Sequence, residues 1–305
     1  MKTVSKILTG LLLAAVLAVV EAAEVKSLKV LTIGNSFSNS AVGDLSRIVR
    51  SDPAYKLLLK RAALGSCSLE RHWKEHLKAE KNPAHKVYKN GRKKYSLKEL
   101  LQDQKWDIVT LQQVSSQSWR VQTFEPYAEN LIALIRKYAP TAEIVLQQTW
   151  SYNASKEELK VWKLTQKEMY ERIRDSYIQL ANRYKLRVIP AGLAVQIHRE
   201  KLGKKLIPMD ATGKYEKPKA PVTTDLVGHA SWRKDPKTGK EILRRDMLHL
   251  SRDGRYMQGC LWFGFLYGKD PATIRYVPKD VKKDFAEHLR KCASEALAQY
   301  KQVKK

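Results

Sequence analysis

Three closely spaced hydroxyl groups follow an apolar run near the start of the chain. Residues 31–40 read LTIGNSFSNS, in which a strand-like segment ends at Gly34 and Ser36 stands at the corner. Apolar positions at helical spacing follow, which predicts that Ser36 precedes a helix. Backbone N–H groups and the helix dipole can stabilise negative charge beside the serine oxygen there. The segment is therefore either a helix cap on a tight turn or the nucleophile of an acyl-transfer site.

A serine nucleophile needs a base, and the base needs a carboxylate that orients it. The segment RRDMLHLSRDGRY places Asp246 and His249 three residues apart before a predicted helix. In a turn, this spacing lets the carboxylate accept from one ring nitrogen while the other nitrogen takes the serine proton. The spacing alone is weak evidence, because Asp225 and His229 form a similar pair. Ser38 is a second candidate nucleophile.

A different motif predicts metal chemistry. Residues 72–76 read HWKEH, which fits the H-x-x-E-H pattern of a zinc peptidase, with two imidazoles one helical turn apart. Such a site needs a third protein ligand, and nothing downstream singles one out. A zinc hydrolase that uses His72, Glu75 and His76 stays an alternative; apart from it, we expect no metal and no cofactor.

The apolar pattern places both candidate sites in an α/β protein. Short apolar runs alternate with amphipathic stretches, which is typical of a parallel sheet covered by helices on both faces. The predicted strands cover residues 28–34, part of 55–64, 106–112, 143–148 and 186–190. Ligands of such sheets bind where the strands end. The residues to inspect follow four of those ends, at 35–36, 65–68, 112–116 and 149–152.

The predicted helices follow the strands. They comprise a helix after the first strand, residues 127–138, a long helix from Ser155 to Tyr184, residues 193–198, residues 252–267 and residues 279–300. Glu158, three residues after Ser155, predicts a capping box for the long helix. Periodicity fails between residues 202 and 245, where glycine, proline and lysine accumulate, so we predict a basic loop insertion there. The rest forms one domain over residues 28–301.

The combination of these motifs is more specific than any one of them. A strand–GNS–helix corner, a D-x-L-H segment before a late helix and the α/β pattern between them resemble the SGNH, or GDSL-type, serine hydrolases. The matching pieces, in chain order, are IGNSFS, GSCSLERHW, WDIVTLQQVSSQS, PYAENL, QTWSY, IPAG and DMLHLSRDGRYMQG. Within that superfamily the chain is similar to a GNSFS-bearing group of uncharacterised exported proteins with a domain of unknown function. The resemblance implies a three-layer α/β/α sandwich with a flavodoxin-like parallel sheet.

The resemblance also implies a role for each motif. Ser36 would be the nucleophile, His249 the base and Asp246 the residue that orients the base. The tetrahedral intermediate would receive hydrogen bonds from the Ser36 backbone N–H, from a backbone N–H near Gly65 and from a side chain after the third strand.

Several pocket residues are less certain in position. Most of the superfamily has an asparagine in a G-x-N-D segment after the third strand, whereas this chain has Gln112 and Gln113. Either amide can donate to an oxyanion, and we predict that Gln113 does so. Asn35 and His72 are predicted to line the substrate pocket. Near the strand ends lie four aromatic residues, Trp73, Trp119, Trp150 and Tyr152. Each alone fits a core position, but as a set, with Trp150 among them, they favour stacking on a sugar ring.

The N-terminus and the net charge suggest where the protein acts. Residues 1–22 read MKTVSKILTGLLLAAVLAVVEA, in which lysines precede an apolar run and small residues, as in a signal peptide. We expect a secreted or periplasmic protein without a stable membrane span once the leader is removed. The formal charge of +26 favours polyanionic partners. Export, and the lack of a nucleic-acid-binding motif, favour acidic or sulfated polysaccharides over nucleic acid.

These observations predict an exported serine esterase. Its substrate would be an acylated small molecule or glycan, with acetyl as a candidate acyl group. Besides the zinc hydrolase, one alternative stays open, a non-catalytic protein that binds polyanionic glycans. Only Cys67, Cys260 and Cys292 occur, too few for a disulfide framework, and Cys292 is predicted to be a small buried apolar residue.

Overall fold

A five-stranded parallel sheet forms the centre of the molecule. The structure is a computed structural model that describes residues 25–300, so the predicted leader lies outside the described residues. The strands are β1 (Lys26–Gly34), β2 (Tyr55–Ala63), β3 (Tyr88–Asn90), β4 (Lys93–Tyr95), β5 (Ile108–Leu111), β6 (Glu143–Gln147), β7 (Arg187–Ile189), β8 (Val227–Lys234) and β9 (Glu241–Leu250). The sheet has the order β2-β1-β5-β6-β7, and every neighbouring pair is parallel. These five strands overlap the five predicted ones.

Helices cover the sheet in two groups. They are α1 (Ser36–Ala41), α2 (Leu45–Arg50), α3 (Leu69–Lys81), α4 (Leu97–Gln102), α5 (Tyr127–Tyr138), α6 (Glu157–Val161), α7 (Gln166–Tyr184), α8 (Ala191–Leu202), α9 (Arg252–Tyr267) and α10 (Lys283–Gln299). Helices α3 and α4 contact α5, whereas α2, α8 and α10 pack against α9. All four residues of β5 are buried, as expected of a strand covered on both faces. The predicted three-layer α/β/α arrangement is confirmed.

The helix pattern differs from the prediction in two places. The helix after β1 is broken into α1 and α2, and the long helix predicted from Ser155 is broken into α6 and α7. Lys163 adopts a left-handed conformation (φ 54°) just after α6. The capping box forms at the start of α7, between Thr165 and Glu168, and α6 has no side-chain cap. Thr165 therefore starts a new helix where the apolar stripe alone predicted a continuous one. Within residues 25–300, no helix is long and apolar enough to span a membrane.

The predicted basic insertion contains regular structure in its second half. Strands β8 and β9 form an antiparallel hairpin, and β9 runs past residue 245 to Leu250, directly before α9. The prediction of a loop over residues 202–245 is therefore wrong from residue 227 onward. The strand pattern was obscured because both strands are mostly half-exposed and carry many basic residues. This hairpin carries Asp246 and His249.

Candidate active site

The corner between β1 and α1 is a tight turn that leaves Ser36 half-buried at the first position of the helix. The Asn35 side chain caps α1 by accepting from the Phe37 backbone N–H at 2.9 Å. Gly34 is required by close packing, because a Cβ there would lie 2.2 Å from the Ser38 hydroxyl oxygen. The turn is thus built around Ser36 from both sides.

A continuous hydrogen-bonded chain joins Ser36, His249 and Asp246. The Ser36 Oγ lies 2.8 Å from His249 Nε2, and His249 Nδ1 lies 2.7 Å from Asp246 Oδ2. A carboxylate only accepts, so Nδ1 carries the proton and Nε2 is free to accept from the serine hydroxyl. The structure therefore brings together three side chains that lie up to 213 positions apart in the sequence.

The Asp246 carboxylate is held in its charged form. Burial by itself raises the pKa of this carboxyl group, but hydrogen bonds from the His249 ring and from two backbone N–H groups outweigh burial and hold the pKa well below its usual range. Those N–H groups belong to Leu248 and His249, and each lies 2.9 Å from Asp246 Oδ1. The carboxylate both shapes the turn and fixes the ring of His249.

Trp150, which was predicted to stack on a sugar, is completely buried and instead holds the hairpin against the sheet. Its ring stacks on Phe37 with centroids 4.3 Å apart, and its Nε1–H donates to the Leu248 carbonyl at 2.8 Å. Trp150 therefore connects Leu248, the neighbour of His249, to Phe37, the neighbour of Ser36. Trp150 thus packs the hairpin against the Ser36 turn and offers no surface to a substrate.

A buried ion pair at the base of the hairpin was missed from the sequence. Arg199 of α8 pairs with Asp225 at 2.9 Å, and both side chains are 2% exposed. Asn153 donates to the Val227 carbonyl at 2.9 Å. Asp225, which competed with Asp246 in the sequence, thus anchors the entry to β8, whereas His229 lies opposite Asp246 in the hairpin. Arg199 and Asp225 are 26 positions apart, and no motif links them.

Two backbone N–H groups near the end of the sheet were predicted to be oxyanion donors. The first N–H groups of a helix have no partner inside it, and Ser36 supplies the first of α1. The β1–β2 register pairs Gly34 with Ala63, so exposed Gly65 follows β2 at the same edge of the sheet at which Ser36 follows β1.

Neither glutamine directs its amide at Ser36. The Gln113 side chain donates to the Thr123 carbonyl at 2.9 Å and accepts from the Leu69 backbone N–H at 3.0 Å. The Gln112 side chain donates to the Gln113 carbonyl and accepts from the Asn35 backbone N–H at 3.2 Å. Both side chains are completely buried. The prediction that Gln113 supplies an oxyanion donor is wrong in this structure, because these two amides brace the loop behind the nucleophile.

Asn35, a predicted pocket residue, and Ser38, the second candidate nucleophile, also form hydrogen bonds that hold the turn in place. The Asn35 amide donates to the Cys67 carbonyl at 3.0 Å, which ties the β1 corner to the loop after β2. Ser38 is completely buried, and its hydroxyl donates to Gln112 Oε1 at 2.9 Å. Ser38 is therefore not presented to a substrate, and Ser36 is the exposed hydroxyl of the pair.

His72 lies beneath the nucleophile turn and does not line a pocket. It is completely buried, with Nε2 2.9 Å from the Gly34 carbonyl and Nδ1 2.8 Å from the Tyr88 hydroxyl. Both ring nitrogens are thus engaged, and Glu75 is bound by Lys78 and His85. The HWKEH segment of α3 uses its first histidine to hold the carbonyl two residues before Ser36. These contacts leave His72 without a nitrogen for a metal ion.

The buried His72 makes stability depend on pH. Burial lowers the pKa of its ring to about 4, below the ordinary 6.5, so the unfolded chain binds a proton more tightly than the folded one. The free energy of unfolding should therefore fall between about pH 6.5 and pH 4, by on the order of 3 kcal/mol from this residue. Urea denaturation across this range should show a shallower pH dependence for His72→Gln than for the unmodified chain. Parallel curves for the two proteins would contradict the expectation.

Comparisons with known proteins agree with the fold. The family described as a domain of unknown function (DUF4886) matches residues 29–205. No curated protein matches the chain. A DUF4886 family protein from Bacteroides uniformis is similar in structure, with 26% identity, a TM-score of 0.68, and coverage of 90% of this chain and 96% of that chain.

More distant structures were also found. An acetyl xylan esterase matches with 13% identity and a TM-score of 0.44, over 78% of this chain and 99% of that one. A GDSL-like lipase from Bacteroides thetaiotaomicron matches with 10% identity and a TM-score of 0.38, over 79% of this chain and 88% of that one. The predicted similarity to a group of proteins with a domain of unknown function is confirmed by the family match. Since the family match covers more than half of its residues, the chain belongs to the DUF4886 family.

Proposed function

We propose that this protein is a serine esterase that uses Ser36, His249 and Asp246 without a metal ion. The observation that carries the proposal is the unbroken chain of hydrogen bonds of 2.8 and 2.7 Å from the half-buried Ser36 hydroxyl to the Asp246 carboxylate. A hydrogen-bonded arrangement of this kind is not needed to cap a short helix, because the Asn35 side chain already does so. The Ser36 hydroxyl is therefore free to donate a hydrogen bond to His249 Nε2, the proposed base.

The reaction proceeds in two halves. Ser36 Oγ attacks the acyl carbon while His249 Nε2 takes the hydroxyl proton, and the negative oxygen accepts from the backbone N–H groups of Ser36 and Gly65. The intermediate then collapses, the alcohol leaves with the proton from His249, and an acyl-serine remains. Water next gives a proton to His249 and attacks the acyl carbon. The acid leaves, and the proton returns to Ser36.

The proposed substrate is a carbohydrate that carries a small acyl ester, such as an acetyl ester. A cleft of about 300 Å³ lies beside Asp246 and is lined largely by polar and basic side chains. These are Lys156, His229, Ser231, Arg233, Arg244 and Arg245. Such a lining favours a hydrophilic acceptor over a long alkyl chain, and its charge favours an acidic or sulfated glycan. With the leader predicted over residues 1–22, we propose that the enzyme acts outside the cytoplasm.

The proposal is tested by labelling and by turnover. We expect a fluorophosphonate to modify the purified chain once, on the peptide that contains Ser36, and to abolish hydrolysis of p-nitrophenyl acetate. A chelator should leave hydrolysis unchanged, in contrast to a zinc hydrolase. A folded protein that binds sulfated polysaccharide but neither reacts with the probe nor cleaves any acetyl-sugar ester would instead be the non-catalytic glycan-binding alternative.

The basic cleft predicts a charge-dependent KM. Arg244 is exposed on the hairpin two residues before Asp246, so Arg244→Gln should raise KM for an acetylated acidic glycan by about two- to fivefold, the usual weight of an exposed ion pair. The KM for neutral p-nitrophenyl acetate should not change. Arg136→Gln, on exposed α5 surface, is the matched control and should leave both values unchanged. Added salt should remove the difference. Equal effects on the charged and the neutral substrate would exclude an anion-binding role for the cleft.

A further inference from the structure

Three side chains that can bind a metal ion meet where α8 packs against α10, in a cluster of His198, His288 and Cys292. His198 Nδ1 lies 3.0 Å from His288 Nε2, and that nitrogen lies 3.5 Å from Cys292 Sγ. All three atoms lie within 4.8 Å of one another. His198 and Cys292 are completely buried, and His288 is half-buried. None of the three takes part in the proposed esterase reaction.

The tautomer of His198 aims a lone pair into this cluster. Its Nε2 lies 3.0 Å from the Thr224 carbonyl, which can only accept, so Nε2 carries the proton. A neutral imidazole has one N–H, and Nδ1 is therefore unprotonated and faces His288. A carbonyl that receives the outer N–H of the ring is the usual support of a metal-binding histidine.

The other two groups are presented by one turn of α10. His288 and Cys292 are four residues apart and so lie on the same face of the helix. Burial lowers the pKa of both His198 and His288, which keeps the rings neutral, as metal ligands must be. Burial also raises the pKa of the Cys292 thiol to about 11, so a metal ion would have to displace its proton. The nearby Lys201 ammonium is paired with Glu295 at 2.7 Å.

We propose that His198, His288 and Cys292 form a binding site for a zinc-class divalent cation. Tetrahedral zinc with its usual bond lengths separates two nitrogen ligands by about 3.3 Å and a nitrogen from a sulfur by about 3.5 Å. The observed 3.0 and 3.5 Å lie within a few tenths of an ångström of these values, and the third pair, His198 Nδ1 and Cys292 Sγ, lies within 4.8 Å. The ion takes the place of the proton shared by the two rings, and water reaches the fourth position from the half-exposed side of His288.

The position of the cluster indicates a structural role. The carbonyl that fixes His198 belongs to Thr224, and the next residue, Asp225, anchors the hairpin through Arg199. A bound ion therefore links α8, α10 and the segment that leads into the hairpin. Its expected effect is on stability, and the ester chemistry does not pass through it.

Cobalt(II) provides the test, because its absorption spectrum depends on the type and the geometry of its ligands. We expect the purified full chain, reduced and freed of metal by a chelator, to bind one equivalent of Co²⁺ with a thiolate-to-cobalt charge-transfer band and the visible bands of tetrahedral coordination. Zn²⁺ should displace the cobalt and should raise Tm by about 5 °C or more at saturating concentration. Cys292→Ala should remove the charge-transfer band and weaken binding at least tenfold, whereas Cys260→Ala, which removes a thiol that is also completely buried, should keep both.

Two results would overturn the proposal. One is the lack of any saturable Co²⁺ binding with a thiolate band, and the other is binding that survives in Cys292→Ala. Should Cys292→Ala fail to fold, as judged by circular dichroism, His288→Gln carries the test, because this side chain is half-exposed and its replacement disturbs the core least. That variant must lose the tetrahedral bands while it keeps the secondary structure of the unmodified chain.

Discussion

Replacing Ser36 with alanine is expected to lower kcat/KM for p-nitrophenyl acetate by about four to six orders of magnitude, the loss typical of removing the nucleophile of a serine hydrolase. The physical reason is that the hydroxyl oxygen 2.8 Å from His249 Nε2 is the atom that forms the acyl bond in the proposed mechanism. The fold should be unaffected, because Asn35 caps α1 and the Ser36 side chain makes no other hydrogen bond among the described residues. Steady-state kinetics and mass spectrometry of the fluorophosphonate adduct measure the effect.

Two neighbouring serines make this result specific. Ser40→Ala, in the same short helix, is the matched control and should retain the activity and the label. Ser38→Ala tests the rival nucleophile: it removes one hydrogen bond to Gln112, which costs about 1 kcal/mol of stability, but should still be labelled at Ser36. Label that moves to Ser38, or activity that survives in Ser36→Ala, would refute the assignment.

Replacing Asp246 with asparagine is expected to lower kcat by about 10⁴-fold while the protein stays folded. The amide can keep an oxygen toward the backbone N–H groups of Leu248 and His249, so the turn is preserved. Its NH₂ group then faces His249 Nδ1 and favours the tautomer in which Nε2 carries the proton. A ring in that tautomer cannot accept from Ser36. Single-turnover kinetics and Tm measured together separate this effect from unfolding.

Asp210 supplies the control for Asp246. One of its carboxylate oxygens also accepts two backbone N–H groups, those of Thr212 and Gly213, but it contacts no histidine. Asp210→Asn should therefore leave kcat unchanged. If Asp246→Asn and Asp210→Asn reduce kcat equally, the carboxylate at 246 shapes the loop only and does not orient the base.

The sheet and the proximity of the candidate groups were predictable because they leave local signals. Five apolar runs predicted the five strands, and the register of a parallel sheet brings their carboxyl ends to one edge. Ser36 was predicted from the glycine and hydroxyls that end the first strand, and the Asp246–His249 pair from a spacing that fits a turn. The resemblance to a known superfamily then linked the two motifs, which the residues alone could not do.

The supporting residues were not predictable, because their partners are distant in the sequence. Gln112 and Gln113 have the chemistry of an oxyanion donor, and only the packing shows that their amides are used by Asn35, Leu69 and Thr123. His72 matched a zinc motif because its spacing from His76 places both side chains on one face of a helix. That spacing does not show which residues pack against this face. The hairpin was hidden because strands that are half-exposed and basic lack the alternation that predicts a strand.

The hairpin carries both His249 and Asp246, whereas Ser36 begins the helix that follows the first strand of the sheet. The turn that joins β8 and β9 is held by local hydrogen bonds, in which Asp235 accepts from the Lys237 and Thr238 backbone N–H groups. Neither of these hydrogen bonds involves Ser36, His249 or Asp246. On the proposed esterase mechanism, mutations that lengthen this turn, shorten it or reverse its charge are therefore expected to leave proton transfer between Ser36 and His249 undisturbed. The outer end of the hairpin can vary in length and charge while the proposed chemistry stays the same.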